Sequence, residues 1–173
     1  MKKLQILMAI ALLSFMFSCS EEDSPVVPDA KETNSIELTA VEGTDITKSI
    51  GFPQEGQTEL IISYHTTITN KGTRDILLYA KMEIMEMADG QFSYFCWGDI
   101  DNNEGTCYPP LKEDFLSDRI MTVKAGTTTP PGNFLQYISD DLQGGVAKIR
   151  YIVYEKENEA NRDTIIYNIT VTK

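Results

Sequence analysis

Cys96 and Cys107 enclose Trp97, the carboxylates of Asp99, Asp101 and Glu104, and the amides of Asn102 and Asn103. Such a stretch could serve thiol–disulfide exchange, metal binding, ligand capture by aromatic rings, or a structural disulfide. Redox exchange favours two thiols separated by two residues, and here ten intervene. Zinc needs four nitrogen or sulfur ligands, and two cysteines with His65, the only histidine, fall one short. Asp99, Asp101 and Asn103 put oxygens at the first, third and fifth positions of a calcium loop. The sixth position, however, is Glu104 rather than glycine, and the twelfth is Pro110 rather than glutamate. Asp99, Asp101 and Glu104 are therefore a weak calcium candidate, and no metal or other cofactor is expected.

The structural disulfide fits better. On a hairpin with Cys96 opposite Cys107, the turn centres between Asp101 and Asn102. That pair tolerates the positive φ of a tight turn. Directly opposed residues on paired strands lie ~4.5–5.5 Å apart, within reach of a disulfide. A Cys96–Cys107 bridge is the expectation. Tyr94, Trp97 and Tyr108 around it are candidates for a flat platform under a saccharide or a protein ligand. The competing expectation is that Trp97 packs over the cystine or caps the core. No enzyme is expected. His65 falls on the polar face of a strand, Asp140-Asp141 on a loop signal, and no GxSxG, HExxH or phosphate-loop motif occurs.

The elements that must hold these residues read as strands. Leu60, Ile62, Tyr64, Thr66 and Ile68 alternate with Ser63, His65, Thr67 and Thr69. Ile76, Leu78, Ala80, Met82 and Ile84 alternate in the same way. With the turn signal Asn70-Lys71-Gly72-Thr73 between them, the two runs are expected to pair as a hairpin. Leu77–Met87 is rich in good helix formers, but its alternation favours a strand. Ser35–Val41, Phe92–Trp97, Thr106–Tyr108, Arg119–Lys124, Val146–Glu155 and Ile165–Val171 complete about eight strands. Glu155–Asp163 reads as a polar turn, and the prolines of Ala125–Gly132 mark a loop. The expected fold is all-β: an immunoglobulin-like antiparallel β-sandwich with a disulfide-stapled hairpin.

The N-terminus reads as an export signal. Lys2 and Lys3 precede an apolar run, Leu4–Phe17, broken only by Gln5 and Ser14. The run is too short to span ~30 Å of hydrocarbon and fits a signal peptide. Ser18-Cys19 follows, then Ser20-Glu21-Glu22-Asp23. The expected organisation is a signal peptide over 1–18, an acidic flexible tether over 19–34, and the sandwich over 35–173. The net charge is −11, or −13 without Lys2 and Lys3. That balance argues against nucleic acid, which needs a basic face.

Two resemblances extend this reading. Phe15-Met16-Phe17-Ser18-Cys19 resembles a loose lipobox of Bacteroidetes lipoproteins, with Met16 and Phe17 departing from the strict pattern. It implies lipid on Cys19, and the acidic residues that follow resemble that phylum's surface-export signal. Phe95-Cys96-Trp97-Gly98 with Cys107-Tyr108-Pro109-Pro110, followed by Lys124-Ala125-Gly126-Thr127, Ile149-Arg150-Tyr151 and Asp163-Thr164, resembles an immunoglobulin-like module of Bacteroidetes surface and secreted proteins. Many relatives carry a further secretion domain after it. This chain stops at Val171-Thr172-Lys173, so lipid is the expected anchor. Asp163-Thr164-Ile165 also resembles that phylum's O-glycosylation tripeptide, making Thr164 a candidate for modification.

The resulting expectation is a non-enzymatic, lipid-anchored protein of the outer membrane, surface-exposed, with the membrane and a protein or glycan ligand as partners. The alternative is a structural or adhesion subunit with Ser35–Val41 as an open edge or donor segment. An accessory glycan-binding protein is the third reading. Lipid on Cys19 predicts that the wild-type chain partitions with membranes and that Cys19→Ala releases it; a variant that still partitions contradicts the anchor.

Overall fold

A computed structural model describes residues 33–98, 106–131, 133–140 and 142–173. The signal peptide, Cys19, nearly all of the tether, and Asp99, Asp101 and Glu104 lie outside the described residues.

Among the described residues, eleven strands form two sheets. They are β1 (Ile36–Ala40), β2 (Asp45–Ser49), β3 (Glu59–Asn70), β4 (Ile76–Met87), β5 (Gln91–Trp97), β6 (Thr106–Leu111), β7 (Phe115–Leu116), β8 (Met121–Val123), β9 (Asn133–Asp140), β10 (Gly145–Glu155) and β11 (Asn158–Thr172). Sheet A runs β1-β3-β9-β5-β6. Sheet B runs β2-β11-β10-β4-β7, with β8 also beside β4. All pairings are antiparallel except β2 with β11, which is parallel.

The alternation read from the sequence sets both inner faces. Ile62, Tyr64, Thr66 and Ile68 of β3 are buried, as are Ile76, Leu78, Ala80 and Met82 of β4. Ala147, Ile149, Tyr151 and Val153 of β10 face Ile165, Tyr167, Ile169 and Val171 of β11 in the same core. Leu77–Met87 is strand rather than helix, because β4 pairs β10 along its length and fills the interior with every second side chain.

The expected β3–β4 hairpin is not formed. β3 lies in sheet A and β4 in sheet B, so the turn crosses the core. Asn70 makes the crossing. Its amide donates to the carbonyls of Arg74 (2.8 Å) and Val123 (3.0 Å), and its oxygen accepts from Gly72 N–H (2.9 Å). Alternation gives each strand one buried face but does not say which sheet it joins; either sheet buries that face.

The expected turn at Glu155–Asp163 also shrinks. β11 begins at Asn158, and the register shifts between Tyr154 and Glu155. Asn161 keeps the inward parity of Ile165 and Tyr167 on β11 and is fully buried. There Glu155 meets Arg74 at 2.6 Å and accepts from Asn161 Nδ2 at 2.9 Å. Asn161 also accepts from Ser35 N–H (2.9 Å) and donates to Ser35 Oγ (2.8 Å). One buried carboxylate thus ties the 71–75 crossing, the β10–β11 turn and the start of β1 together.

The core is rich in tyrosine. Tyr64 and Tyr167 lie 5.0 Å apart, and Tyr167 Oη shares a 2.7 Å hydrogen bond with Thr66 Oγ1. Burial pushes the Tyr137 phenol up to about 12. The Tyr64, Tyr137 and Tyr151 hydroxyls have no protein partner among the described residues.

Two substitutions separate these contributions. Arg74→Met leaves the Glu155 carboxylate buried without its cation and should cost about 3 kcal/mol in urea unfolding; a change below about 0.5 kcal/mol would contradict the network. Tyr167→Phe strips Thr66 of its partner and should cost about 1 kcal/mol, whereas Tyr64→Phe removes an unpartnered hydroxyl and should be neutral or stabilising.

Candidate functional site

Cys96 and Cys107 are bridged, with their Cα atoms 4.0 Å apart. The register is the one the spacing implies: Trp97 opposes Thr106, Cys96 opposes Cys107 and Phe95 opposes Tyr108. Chain direction leaves β5 at Gly98, whose φ of 98° strains any residue with a Cβ.

The hairpin does not display its aromatic rings. Alternation along β5 sends Gln91, Ser93, Phe95 and Trp97 inward and Phe92 and Tyr94 outward. Trp97 is fully buried and Tyr108 is 8% exposed. The platform of Tyr94, Trp97 and Tyr108 expected from the sequence is therefore divided between two faces, which corrects that expectation. Trp97 packs instead. Phe95 lies 6.5 Å from Trp97 and 5.7 Å from Tyr108, both stacked. Tyr151 of β10 meets Phe95 and Trp97 edge-on, and Phe115 of β7 lies 4.4 Å from Tyr108. The polar tips are held as well. Trp97 Nε1 donates to Arg119 O (3.1 Å), and the Tyr108 hydroxyl donates to the Asp118 carboxylate. Only Tyr94, half-buried on the outer face of sheet A, remains of the platform.

The other sequence candidates are scattered. His65 is on the outer face of β3 as expected. It is joined to Glu42, whose carboxylate accepts from the His65 backbone N–H (2.7 Å) and contacts the ring Nδ1. Thr164 is exposed on β11 beside Asp163, and the Asp163 carboxylate accepts from Thr164 N–H and Leu38 N–H. Among the described residues no three His, Cys, Asp or Glu side chains converge on a metal position.

Ser35–Val41 carries β1, the edge strand of sheet A as expected, and side chains cap part of that edge. Ile36 and Leu38 are buried in the core. The backbone N–H groups of Ser35 and Leu38 are held by Asn161 Oδ1 (2.9 Å) and Asp163 Oδ2 (2.8 Å). At the opposite edge, Pro109 and Pro110 in β6 remove two donors, which discourages strand addition there.

Sequence reasoning missed the aromatic pair that does face solvent. Tyr79 of β4 and Tyr154 of β10 are opposed in register, their rings 6.0 Å apart and tilted by 34°. Arg162 of β11 is the next residue in that row, and Leu77 and Leu116 lie exposed on the same face. The signal was present in the sequence, since Tyr79 and Tyr154 each interrupt an inward apolar series. Only the β4–β10 pairing brings them together.

No protein-family model matches this chain, and no curated protein matches it. Among solved structures, the N-terminal domain of PorA is similar at 12% identity and a TM-score of 0.50, covering 79% of this chain and 96% of that one. A PapD-like domain of human CEP192 is similar at 12% identity and a TM-score of 0.41, covering 86% and 92%. A FixG-related protein from Vibrio parahaemolyticus is similar at 13% identity and a TM-score of 0.40, covering 82% and 98%. The likeness is one of fold, an immunoglobulin-like β-sandwich.

Trp97→Ala should remove a fully packed ring and cost about 3–5 kcal/mol; a loss below about 1 kcal/mol would place Trp97 at the surface. Replacing both cysteines by serine opens the hairpin loop and should cost roughly 2–3 kcal/mol. At Glu42 burial alone would raise the carboxyl pKa, but the hydrogen bonds and charge of His65 lower it overall. A lowered carboxylate stabilises the fold above its unfolded value, near 4.5, and loses that contribution as pH falls through the folded value. The Tm difference between wild type and Glu42→Gln should thus vanish in strong acid, below the folded carboxylate value; a difference that persists there contradicts the pairing.

Proposed function

We propose that this chain is a non-enzymatic binding or scaffold module, held by lipid on Cys19 at the outer membrane and facing outward. The structural observation behind the binding reading is the outer face of sheet B. Tyr79, Tyr154, Leu77, Leu116 and Arg162 lie together there on paired strands that hold their spacing. Tyrosine and arginine on a fixed scaffold are the residue types that dominate recognition surfaces. The anchor rests on Cys19 and its flanks, and the bacterial-surface setting on the two resemblances.

A second reading, a subunit of a surface assembly, draws on β2. That strand is the exposed edge of sheet B, and Phe52, just beyond it, is fully exposed. An open edge next to a bare aromatic side chain suits strand addition by a neighbour.

Protease added to intact cells tests the placement. Rapid loss of the protein supports surface display, and protection until the outer membrane is opened contradicts it. A ligand screen by glycan array and pull-down, with the wild type beside a Tyr79→Ser, Tyr154→Ser double variant, tests the binding reading. A ligand lost only in the double variant supports it; a ligand that instead requires β2 supports the assembly reading.

A further inference from the structure

We propose that the row Tyr79–Tyr154–Arg162 on the outer face of sheet B is a binding site for a carboxylated saccharide; this deepens the binding reading above and rests on it.

Three observations carry the proposal. The first is the ring pair. Tyr79 and Tyr154 lie side by side 6.0 Å apart, half-buried and fixed by β4–β10 pairing. Two neighbouring tyrosine rings cover an area on the scale of one pyranose, whose apolar C–H face packs against the negative face of an aromatic ring. The second is the cation. Arg162 opposes Tyr154 directly, is exposed, and makes no ion pair among the described residues. A guanidinium binds a carboxylate through two parallel hydrogen bonds, so it both selects and orients an acidic sugar. The third is the backbone. β10 is paired on both sides, with β4 and with β11. At Tyr154, then, an extended peptide finds no free ladder to join, and recognition falls to side chains.

The surrounding charges set the orientation. Lys81 and Thr164 flank Ile152 in the neighbouring row, and Arg150 lies one row further on. Lys81 and Arg150 both hold Glu83, at 2.7 and 2.8 Å, which leaves Arg162 as the cation in that part of the face without an acidic partner. Glu159 is near Tyr154 on the turn side. Its charge steers the ligand carboxylate away from the turn and toward Arg162 and Thr164. The hydroxyl of Thr164 is then placed to meet a sugar hydroxyl. On a chain of net charge −11, an arginine without an ion pair among the described residues, beside two half-buried rings, supplies a local attraction that long-range repulsion does not cancel at physiological salt.

The test is a titration of the purified chain, followed by amide NMR shifts, with three probes: tetragalacturonate, the neutral galactose tetramer, and a short poly-glutamate of matching charge. Tetragalacturonate should shift amides around Tyr79, Ile152, Tyr154, Arg162 and Thr164. The neutral tetramer should bind at least tenfold more weakly, and poly-glutamate should leave the tyrosine row unmoved. Arg162→Gln, a surface change that leaves the melt intact, should weaken tetragalacturonate at least tenfold. Arg162→Lys should restore part of the loss, and Tyr154→Ala should remove binding. No tetragalacturonate binding, or shifts that map elsewhere, overturns the proposal. Equal binding of poly-glutamate overturns the saccharide class in favour of an acidic peptide. If tetragalacturonate fails while the ligand screen finds another ligand for the protein, only this proposal falls; if both fail, the binding reading falls with it.

Discussion

A buried carboxylate ties the two sheets of the sandwich together at one end. Glu155 sits at the β10–β11 turn, where burial without partners would be prohibitive. It is neutralised by Arg74, from the segment that crosses between sheets, and hydrogen-bonded by Asn161, which in turn fixes Ser35 at the start of β1. The register shift between Tyr154 and Glu155 lies beside this network, with Asn161 on the inward side of β11. Arg162 opposes Tyr154 on the outside as the last pair of the regular β10–β11 register, before that shift.

The hairpin with the disulfide shows the complementary principle. A strand has two faces, and a tryptophan beside a cystine goes to one of them. Cys96 and Cys107 stand directly opposed, which sends Phe95, Trp97 and Tyr108 inward together. Once inward, they close against Tyr151 and Phe115, and each polar tip finds a partner. The staple, the stacked rings and the Asp118 contact are parts of one packed end. Recognition chemistry then falls to faces that the core does not claim.

Much of this was legible in the sequence for a physical reason: period-two alternation reports burial directly. The inner faces of β3, β4, β10 and β11 and the strand identity of Leu77–Met87 follow from it, while the Cys96–Cys107 register follows from the spacing of the two cysteines. What alternation does not carry is partner identity. It placed β3 and β4 in one hairpin because their turn signal is short, whereas Asn70 uses that turn to cross the core. It passed over β9, since Tyr137, Ile138 and Ser139 are all buried and show no alternation. It passed over β2, which is polar and largely exposed because it hangs on the edge of β11. The aromatic platform was misplaced for a related reason. Tyr94 and Trp97 are three apart on a strand and so lie on opposite faces, while Tyr79 and Tyr154 are far apart in sequence and adjacent in space.

The aromatic end of the molecule is core, which leaves the outer face of sheet B as the proposed ligand face. Trp97 is the chain's single tryptophan, so its fluorescence reports this without interference. Quenching by acrylamide and iodide on the folded, oxidised protein is the most direct measurement. The account predicts a blue-shifted emission that iodide leaves unchanged and acrylamide barely reduces, with full quenching only after unfolding. A red-shifted emission that iodide quenches in the native state would put Trp97 at the surface, dismantle the packed end, and return the hairpin to the role of ligand platform.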